Sequence, residues 1–454
     1  MGFLQDNGFD PATIDAEAIL RSFTKDMEAG LRGAPEGLPM LPAGFTLTGE
    51  VPRDVEFPAF DVGGTNIRSA RVRFDAQGRP RVLNQLRGFM PGSRGPVDRE
   101  TFYRVLCDVL APNIRPGETL GYCFSYPVDL EGRLLFWTKG IQAQSIIGTD
   151  VRQGLADALA ARGIPGCRVR VLNDTVAALL AAIAHEGSAE RAGCVGFILG
   201  TGSNTAYAER AADVPKCPGL PPGSFVPINC ESGNFLHFPR SLFDVRYESA
   251  SGNGRGVWER CISGVNLGAL GTLILHGAAE EGLFSAGLRA NLLSRTFTNI
   301  ELDDFGSGRR PDLIYCSADE ARILRGLLLP LYERAAIFSA INIAAAALAV
   351  AVVTVGFYGG SSGGSEERAS RPDSAAPYAG PRIPDVMADP AERASWFVER
   401  FWGGFDFRDT TQLRPERLDP AFGEFASAAL YADPAVRDAS LRRMLDSAAR
   451  GGEA

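Results

Sequence analysis

The sequence predicts an α/β fold of two domains facing each other across a cleft, and three observations carry that prediction. Residues 57–68, FPAFDVGGTNIR, read as a strand running into Asp61, then Gly63, Gly64, Thr65 and Asn66, then an alternating strand over 67–74. Residues 197–204, FILGTGSN, repeat the arrangement and continue as a strand over 205–209. Between the two loops, helical and strand patterns alternate, as they do in open α/β sheets. A chain of 454 residues with 45% hydrophobic and 22% charged content has the length for two to three domains and the makeup of an ordinary globular protein.

Each element has its own signal. A helix is expected over residues 14–31, ending near Gly33 and a Pro-rich connector. The Asp61 hairpin follows, then a helix over 101–110 and a strand over 119–125 that runs into Tyr126 and Pro127. The apolar stretch 134–137 precedes Thr138, Lys139 and Gly140. A helix over 150–162 leads to a strand over 169–172, which delivers Asn173 and Asp174 at its carboxyl end, where ligands gather in such sheets. The next helix, 175–185, opens with Asp174 at its mouth. Residues 335–358 carry no charge and are long enough to span a bilayer. Asn342, the many alanines and the β-branched stretch 349–357 favour instead a buried helix followed directly by a buried strand.

The glycine hairpins suit an anion. Adjacent glycines let backbone N–H groups approach a phosphate, and Thr65 and Asn66 add donors. Asp61 at the strand end could meet a hydrated divalent cation arriving with a nucleotide. A tight β-turn explains the same letters for either loop alone. Two copies are harder to explain that way, and they suggest two similar half-sheets.

Other classes lose ground. The net charge is −8 and no Lys/Arg-rich run exists, so a nucleic-acid footprint is missing. Eight cysteines show no CxxC and no paired spacing with the three histidines, which argues against zinc and a disulfide framework and for a reducing, cytoplasmic setting. His185, His237 and His276 read as structural or surface residues. The N-terminal MGFLQDNGFD lacks an apolar h-region, so no secretory signal is expected.

Six short motifs then follow in one order: FSYP (124–127), WTKG (137–140), NDTV (173–176), LGTGSN (199–204), INCESG (228–233) and WERCISGVNLG (258–268). With MLPAGF (40–45) and FDVGGTNIR before them, the chain resembles a eukaryotic-type hexokinase of the actin-like ATPase superfamily, from about residue 13 to 359. The resemblance implies the two-domain actin-like ATPase (ribonuclease H-like) fold. It implies an N-terminal helical segment over 1–49, a small domain over 50–176 and a large domain over 177–454. It also implies transfer of the γ-phosphate of Mg-ATP to the 6-hydroxyl of a hexose, most plainly glucose. Asp174 matches the base. Ser125, Thr138, Lys139, Asn173, Asn204, Glu231 and Glu259 match the sugar-binding positions. Asp61, Gly63, Gly64, Thr65, Asn66, Arg68, Gly200, Thr201, Gly202 and Gly359 match the nucleotide side, with Asp61 reaching Mg²⁺ through water.

The chemistry agrees with these residue types. Sugar hydroxyls both donate and accept, so carboxylates, amides, Lys and Ser suit them, and phosphoryl transfer needs positioning, charge and one carboxylate beside the nucleophile. Plainer readings exist: Asn173-Asp174 as a helix N-cap, Glu231 and Glu259 as solvated carboxylates, Lys139 as a surface lysine beside Trp137.

The chain departs from the family after residue 357. Tyr358 stands where the family has Asp, Gly359 is kept, and Gly360 replaces a hydroxyl residue. Residues 361–384 read as a flexible connector, and the family's final Gly-rich nucleotide loop has no counterpart. The expected partners are therefore a hexose and a nucleotide, without nucleic acid or membrane, and the adenosine side is weakened. A hexose-binding regulator with reduced catalysis is the alternative. The zinc-binding, repressor-related sugar kinases are disfavoured because their Cys cluster is missing.

Overall fold

The computed structural model describes residues 2–47, 53–76, 80–129, 131–137, 140–186, 194–200, 202–221, 223–251, 254–349 and 354–358. The chain opens with helices α1 (Gly2–Asp6) and α2 (Ala16–Leu31) and the short strand β1 (Leu41–Pro42). Asp15 caps α2 by accepting from the Ala18 N–H, and Ile19, Leu20, Phe23 and Met27, at helical spacing, form its buried face.

The first lobe is built on β2 (Val55–Val62), β3 (Asn66–Phe74), β4 (Pro80–Phe89), β5 (Thr119–Phe124) and β6 (Arg168–Leu172), with α3 (Arg99–Leu110) and α4 (Val151–Ala161) between strands. Its sheet order is β4-β3-β2-β5-β6. Phe60, Val62, Phe102, Leu106, Tyr122, Phe124 and Leu155 share its core. Helix α5 (Asp174–Glu186) follows, then β7 (Cys194–Leu199), β8 (Ser203–Arg210) and β9 (Phe225–Asn229). Helices α6 (Leu242–Ser251), α7 (Val257–Arg260), α8 (Gly264–Glu280), α9 (Ala286–Leu293), α10 (Asn299–Gly306) and α11 (Ala318–Leu348) lead to β10 (Thr354–Tyr358). The second sheet runs β1-β9-β8-β7-β10.

The two sheets share one wiring. In the first, β2 pairs antiparallel with β3, β3 antiparallel with β4, and β2 parallel with β5. In the second, β7 pairs antiparallel with β8, β8 antiparallel with β9, and β7 parallel with β10. The paired glycine hairpins thus stand at matching places in duplicated half-sheets. The N-terminal helices join the second lobe, since Phe3, Phe9, Phe23 and Met27 share a core with Phe197, Trp258 and Phe338.

The uncharged run over 335–358 proves to be the second half of a longer helix plus a strand. Helix α11 starts at Ala318 behind a capping box made by Ser317 and Glu320, and β10 pairs in parallel with β7. Its length and apolarity would suffice to cross a bilayer, but 67% of its most apolar window is buried inside the protein. Asn342 sits in that interior with both ends of its amide used: it accepts from Thr205 Oγ1 at 2.5 Å and donates to Ser232 Oγ at 3.1 Å. Arg334 on α11 meets Asp244 on α6 through two 2.6 Å contacts, both side chains buried. Burial would raise the Asp244 carboxyl, but the Arg334 guanidinium together with the hydroxyl and N–H of Ser241 outweighs it and holds the group below its ordinary value. The pair fixes α6, which carries Tyr247 and Ser251 to the cleft.

Candidate active site

A cleft of about 580 Å³ opens between the lobes and collects residues from both sheets. From the first lobe come Ser125, Trp137, Asn173 and Asp174, and from the second come Asn204, Glu231 and Glu259. Apart from Trp137, these are positions expected from the motifs, Asp174 as the base and the others for the sugar; Thr138 and Lys139 of the sugar set lie outside the described residues, as do Thr201 and Gly359 on the nucleotide side.

Strand β6 ends at Leu172, so Asn173 and Asp174 fall at the start of α5. Both side chains converge on one helix-end donor. Asn173 Oδ1 accepts from the Thr175 N–H at 2.8 Å. Asp174 Oδ1 accepts from the same N–H at 2.8 Å and from Thr175 Oγ1 at 3.3 Å, which orients the carboxylate while its side chain lines the cleft. Ser125, just past β5, is buried and fixed by its N–H, which donates to the Val62 carbonyl at 3.1 Å.

On the second lobe, two linked amides aim Glu231 and a backbone N–H holds Glu259. Asn204 Nδ2 donates to Asn229 Oδ1 at 2.6 Å, and Asn229 Nδ2 donates to Glu231 Oε1 at 2.9 Å. Asn204 Oδ1 accepts from the Thr205 and Ser232 N–H groups at 2.7 and 3.2 Å. Glu231 itself is held at φ +51°, a left-handed conformation costly for a side chain of this kind and kept only where surroundings over-determine it. Glu259 Oε2 accepts from the Ser203 N–H at 2.8 Å, which ties α7 to the second glycine hairpin. Asn229, Asn234, Tyr247, Arg255 and Asn342 are contributors that the motifs did not single out. Asn229 lies inside INCESG and could have been found there, whereas Asn342 had drawn notice only as a polar interruption.

The glycine hairpins hold the remaining expected residues. Gly63 N–H donates to the Asn66 carbonyl at 3.0 Å, the Thr65 carbonyl accepts from Met90 N–H at 2.9 Å, and Tyr126 Oη donates to the Gly63 carbonyl at 3.0 Å. The turn around Gly64 is therefore braced from two sides. In the second hairpin Gly200 N–H donates to the Gly202 carbonyl at 2.9 Å, and Gly264 N–H donates to the Gly200 carbonyl at 2.8 Å, joining the start of α8 to the loop. An apolar cavity of about 730 Å³ adjoins this hairpin, lined by Gly200, Gly264, Val265, Leu273, Thr298 and Ile300 among others.

Asp61 faces Arg68 across the β2–β3 pair, with Nη1 and Oδ2 at 3.3 Å. Asp61 does not line the sugar-side cavity, yet its electrostatics reach it. Burial raises its carboxyl above the ordinary value, Arg68 pulls it back down, and the negative charge of Asp174 raises it again. The hairpin side and the Asp174 side thus meet in one electrostatic unit.

Comparison with known proteins agrees with this geometry. Residues 6–184 and 194–362 each match a family described as hexokinase, and residues 360–454 match a domain of unknown function. Hexokinase-2 of Candida albicans is 31% identical over 374 residues, covering 73% of this chain and 76% of the relative. Hexokinase-1 of Saccharomyces cerevisiae is 30% identical over 302 residues, covering 60% and 61%. The hexokinase of Schistosoma mansoni, solved with glucose, superimposes with a TM-score of 0.68 at 25% identity over 79% of this chain and 88% of that one. On these matches the chain has the two-domain actin-like ATPase fold, belongs to the hexokinase family and is a hexokinase-type phosphotransferase.

Proposed function

We propose that the protein transfers the γ-phosphate of Mg-ATP to the 6-hydroxyl of a hexose, glucose first, with Asp174 as general base. The observation that carries this reading is the convergence of Ser125, Asn173 and Asp174 from one lobe with Asn204, Glu231 and Glu259 from the other around a single cleft. Thr138 and Lys139 belong to the same proposed sugar set. A small domain over 50–176 and a large domain from 177 onward fit the two sheets, with α1 and α2 of the N-terminal segment packed on the large one.

The residues divide the work. Carboxylates of Glu231 and Glu259 accept from sugar hydroxyls, and the amides of Asn173 and Asn204 face the same space, each already oriented by a backbone partner. Asp174, braced by Thr175, takes the proton of the attacking hydroxyl as the oxygen reaches phosphorus. The hairpins around Gly64 and Gly200–Gly202, with Thr65, Asn66, Arg68 and Thr201, cradle the phosphates. The apolar cavity beside Gly200 would take the nucleoside.

A divalent cation fits the donor set. Asp61 offers a hard carboxylate, and the described residues contain no group of three or more His, Cys, Asp or Glu that could cage a metal, as suits Mg²⁺ held largely by water and phosphate. When bound, the ion neutralises charge on the phosphates. Asp61 would be its protein anchor through water.

The test is turnover with glucose and Mg-ATP. The wild type should form a phosphorylated hexose, and Asp174→Ala should keep sugar binding within a few fold while losing about 10²- to 10⁴-fold in kcat. Full activity in a folded Asp174→Ala protein would leave that residue as a helix-end carboxylate only. The Tyr358-Gly359-Gly360 departure supports the second reading, a hexose-binding regulator, which predicts glucose binding without turnover in the wild type.

A further inference from the structure

We propose that Arg255 and Phe136 form a clasp between the two lobes at the mouth of the sugar cleft, which makes Arg255 a positioning residue for hexose capture. This rests on the hexose reading above and adds to it a contact that the binding motifs do not contain. The guanidinium carbon of Arg255 stands 4.2 Å from the centroid of the Phe136 ring, and both side chains line the cleft. They come from opposite lobes.

Phe136 is anchored on the first lobe through its neighbours. Leu135 N–H donates to the Pro127 carbonyl at 3.0 Å, and Trp137 Nε1 donates to the Ala143 carbonyl at 2.7 Å. The Trp137 ring packs edge-on against Tyr126 at 4.7 Å between centroids. Phe136 is thus presented from a rigid aromatic base. Arg255 has the opposite setting. It lies between Gly254 and Gly256, whose φ values of +59° and +66° are left-handed and favour glycine, so the backbone on either side of it can turn at little cost.

One strut links that loop to the sugar site. Gly256 N–H donates to Asn234 Oδ1 at 3.2 Å, and Asn234 Nδ2 donates to the Glu231 carbonyl at 3.1 Å. A hexose fixed by Glu231 therefore steadies Asn234 and Gly256, and with them the direction of Arg255. A planar, weakly hydrated guanidinium over an aromatic face gains most when water is excluded around it, so the contact favours the arrangement in which the two lobes meet at the cleft mouth. By linkage, whatever a bound sugar contributes to that arrangement, the clasp returns as sugar affinity. The clasp does not touch the reacting atoms, so it should act on capture and leave the chemical step alone.

The experiment uses the full-length protein with glucose as the probe and compares Arg255→Gln, Arg255→Lys, Phe136→Leu and Phe136→Tyr with the Arg255→Gln/Phe136→Leu double variant. Arg255→Gln and Phe136→Leu should each raise the KM for glucose about 2- to 5-fold with kcat near wild type, the scale of one cation–π contact at an exposed site. The double variant should be no worse than either single one, because both remove the same contact. Phe136→Tyr should recover much of the loss, and Arg255→Lys, which keeps the charge without the planar guanidinium, only part of it. Additive effects, an unchanged KM in Arg255→Gln at unaltered melting temperature, or a loss confined to kcat would overturn the clasp while leaving the hexose reading intact. A wild type that neither binds nor phosphorylates glucose would overturn both.

Discussion

Burial works against ionising Asp61, Arg68 works for it, and the charge of Asp174 works against it again. Asp61 must be ionised to anchor a cation, so the acid limb of kcat/KM should lie above the ordinary aspartate range. Removing Arg68 takes away the guanidinium whose charge lowers this pKa, so in Arg68→Ala the limb should move to higher pH whatever happens to the overall rate. A pH–rate profile whose limb stays in place or moves down would refute the coupling. Asn342 gives a second residue-level prediction. Asn342→Ala takes one buried partner from each of the Thr205 and Ser232 hydroxyls, which keep their bond to each other at 3.2 Å; the loss should cost about 2 kcal/mol in urea unfolding and raise the hexose KM by loosening the Glu231 loop. An unchanged KM in a destabilised protein would confine Asn342 to a structural role. That Asp174, Ser125, Asn204, Glu231 and Glu259 would gather at one cleft was legible in the sequence because each sits inside a short, contiguous motif. Asn342 was not, because its partners lie 137 and 110 residues away and only folding brings them together.

Helix α11 shows what a local pattern can and cannot tell. Its uncharged half announced burial, and its amphipathic, charged first half hid the true start at Ala318. That start is set by Ser317 and Glu320. The Glu320 carboxylate accepts from the Ser317 and Ser285 N–H groups, and those bonds hold it down to about 2 from 4.5. A lowered carboxyl contributes stability that is fully present above its unfolded value and is lost as pH falls through the folded one. Glu320→Ala should therefore destabilise the protein at neutral pH, and its difference from wild type in urea melts should shrink between pH 4.5 and about 2. A difference that persists in acid would show that the capping charge is not its source. The glycine hairpins were legible because strand, turn and strand are contiguous. Strand β4 was missed: it is an edge strand with Val82, Leu86 and Phe89 exposed, and its register shifts opposite Ser69–Arg71, near the left-handed Asn84, which breaks the two-residue alternation.

At the scale of the molecule, two sheets of common wiring place their glycine hairpins on either side of one cleft. The duplication was readable from the paired loops alone, since a hairpin of fixed form carries its sheet position with it. The assignment of the N-terminal helices was not readable, because their apolar faces fit any core. With most of its apolar window packed inside, α11 should not draw the protein into a bilayer. After detergent-free lysis the protein should remain in the supernatant, and quantitative recovery with membranes would mean that α11 leaves the core it occupies here. The placement of α1 and α2 has a consequence for the order in which the chain can become structured. Their partners on α11 are made only after the whole first lobe and most of the second have been synthesised. The first lobe is contiguous from β2 to β6 and can close its core early, while the apolar face of α2 must wait in water for a strand of chain not yet made. The emerging chain is therefore most exposed to misassociation at α2, and a chaperone that acts on it would find its target there.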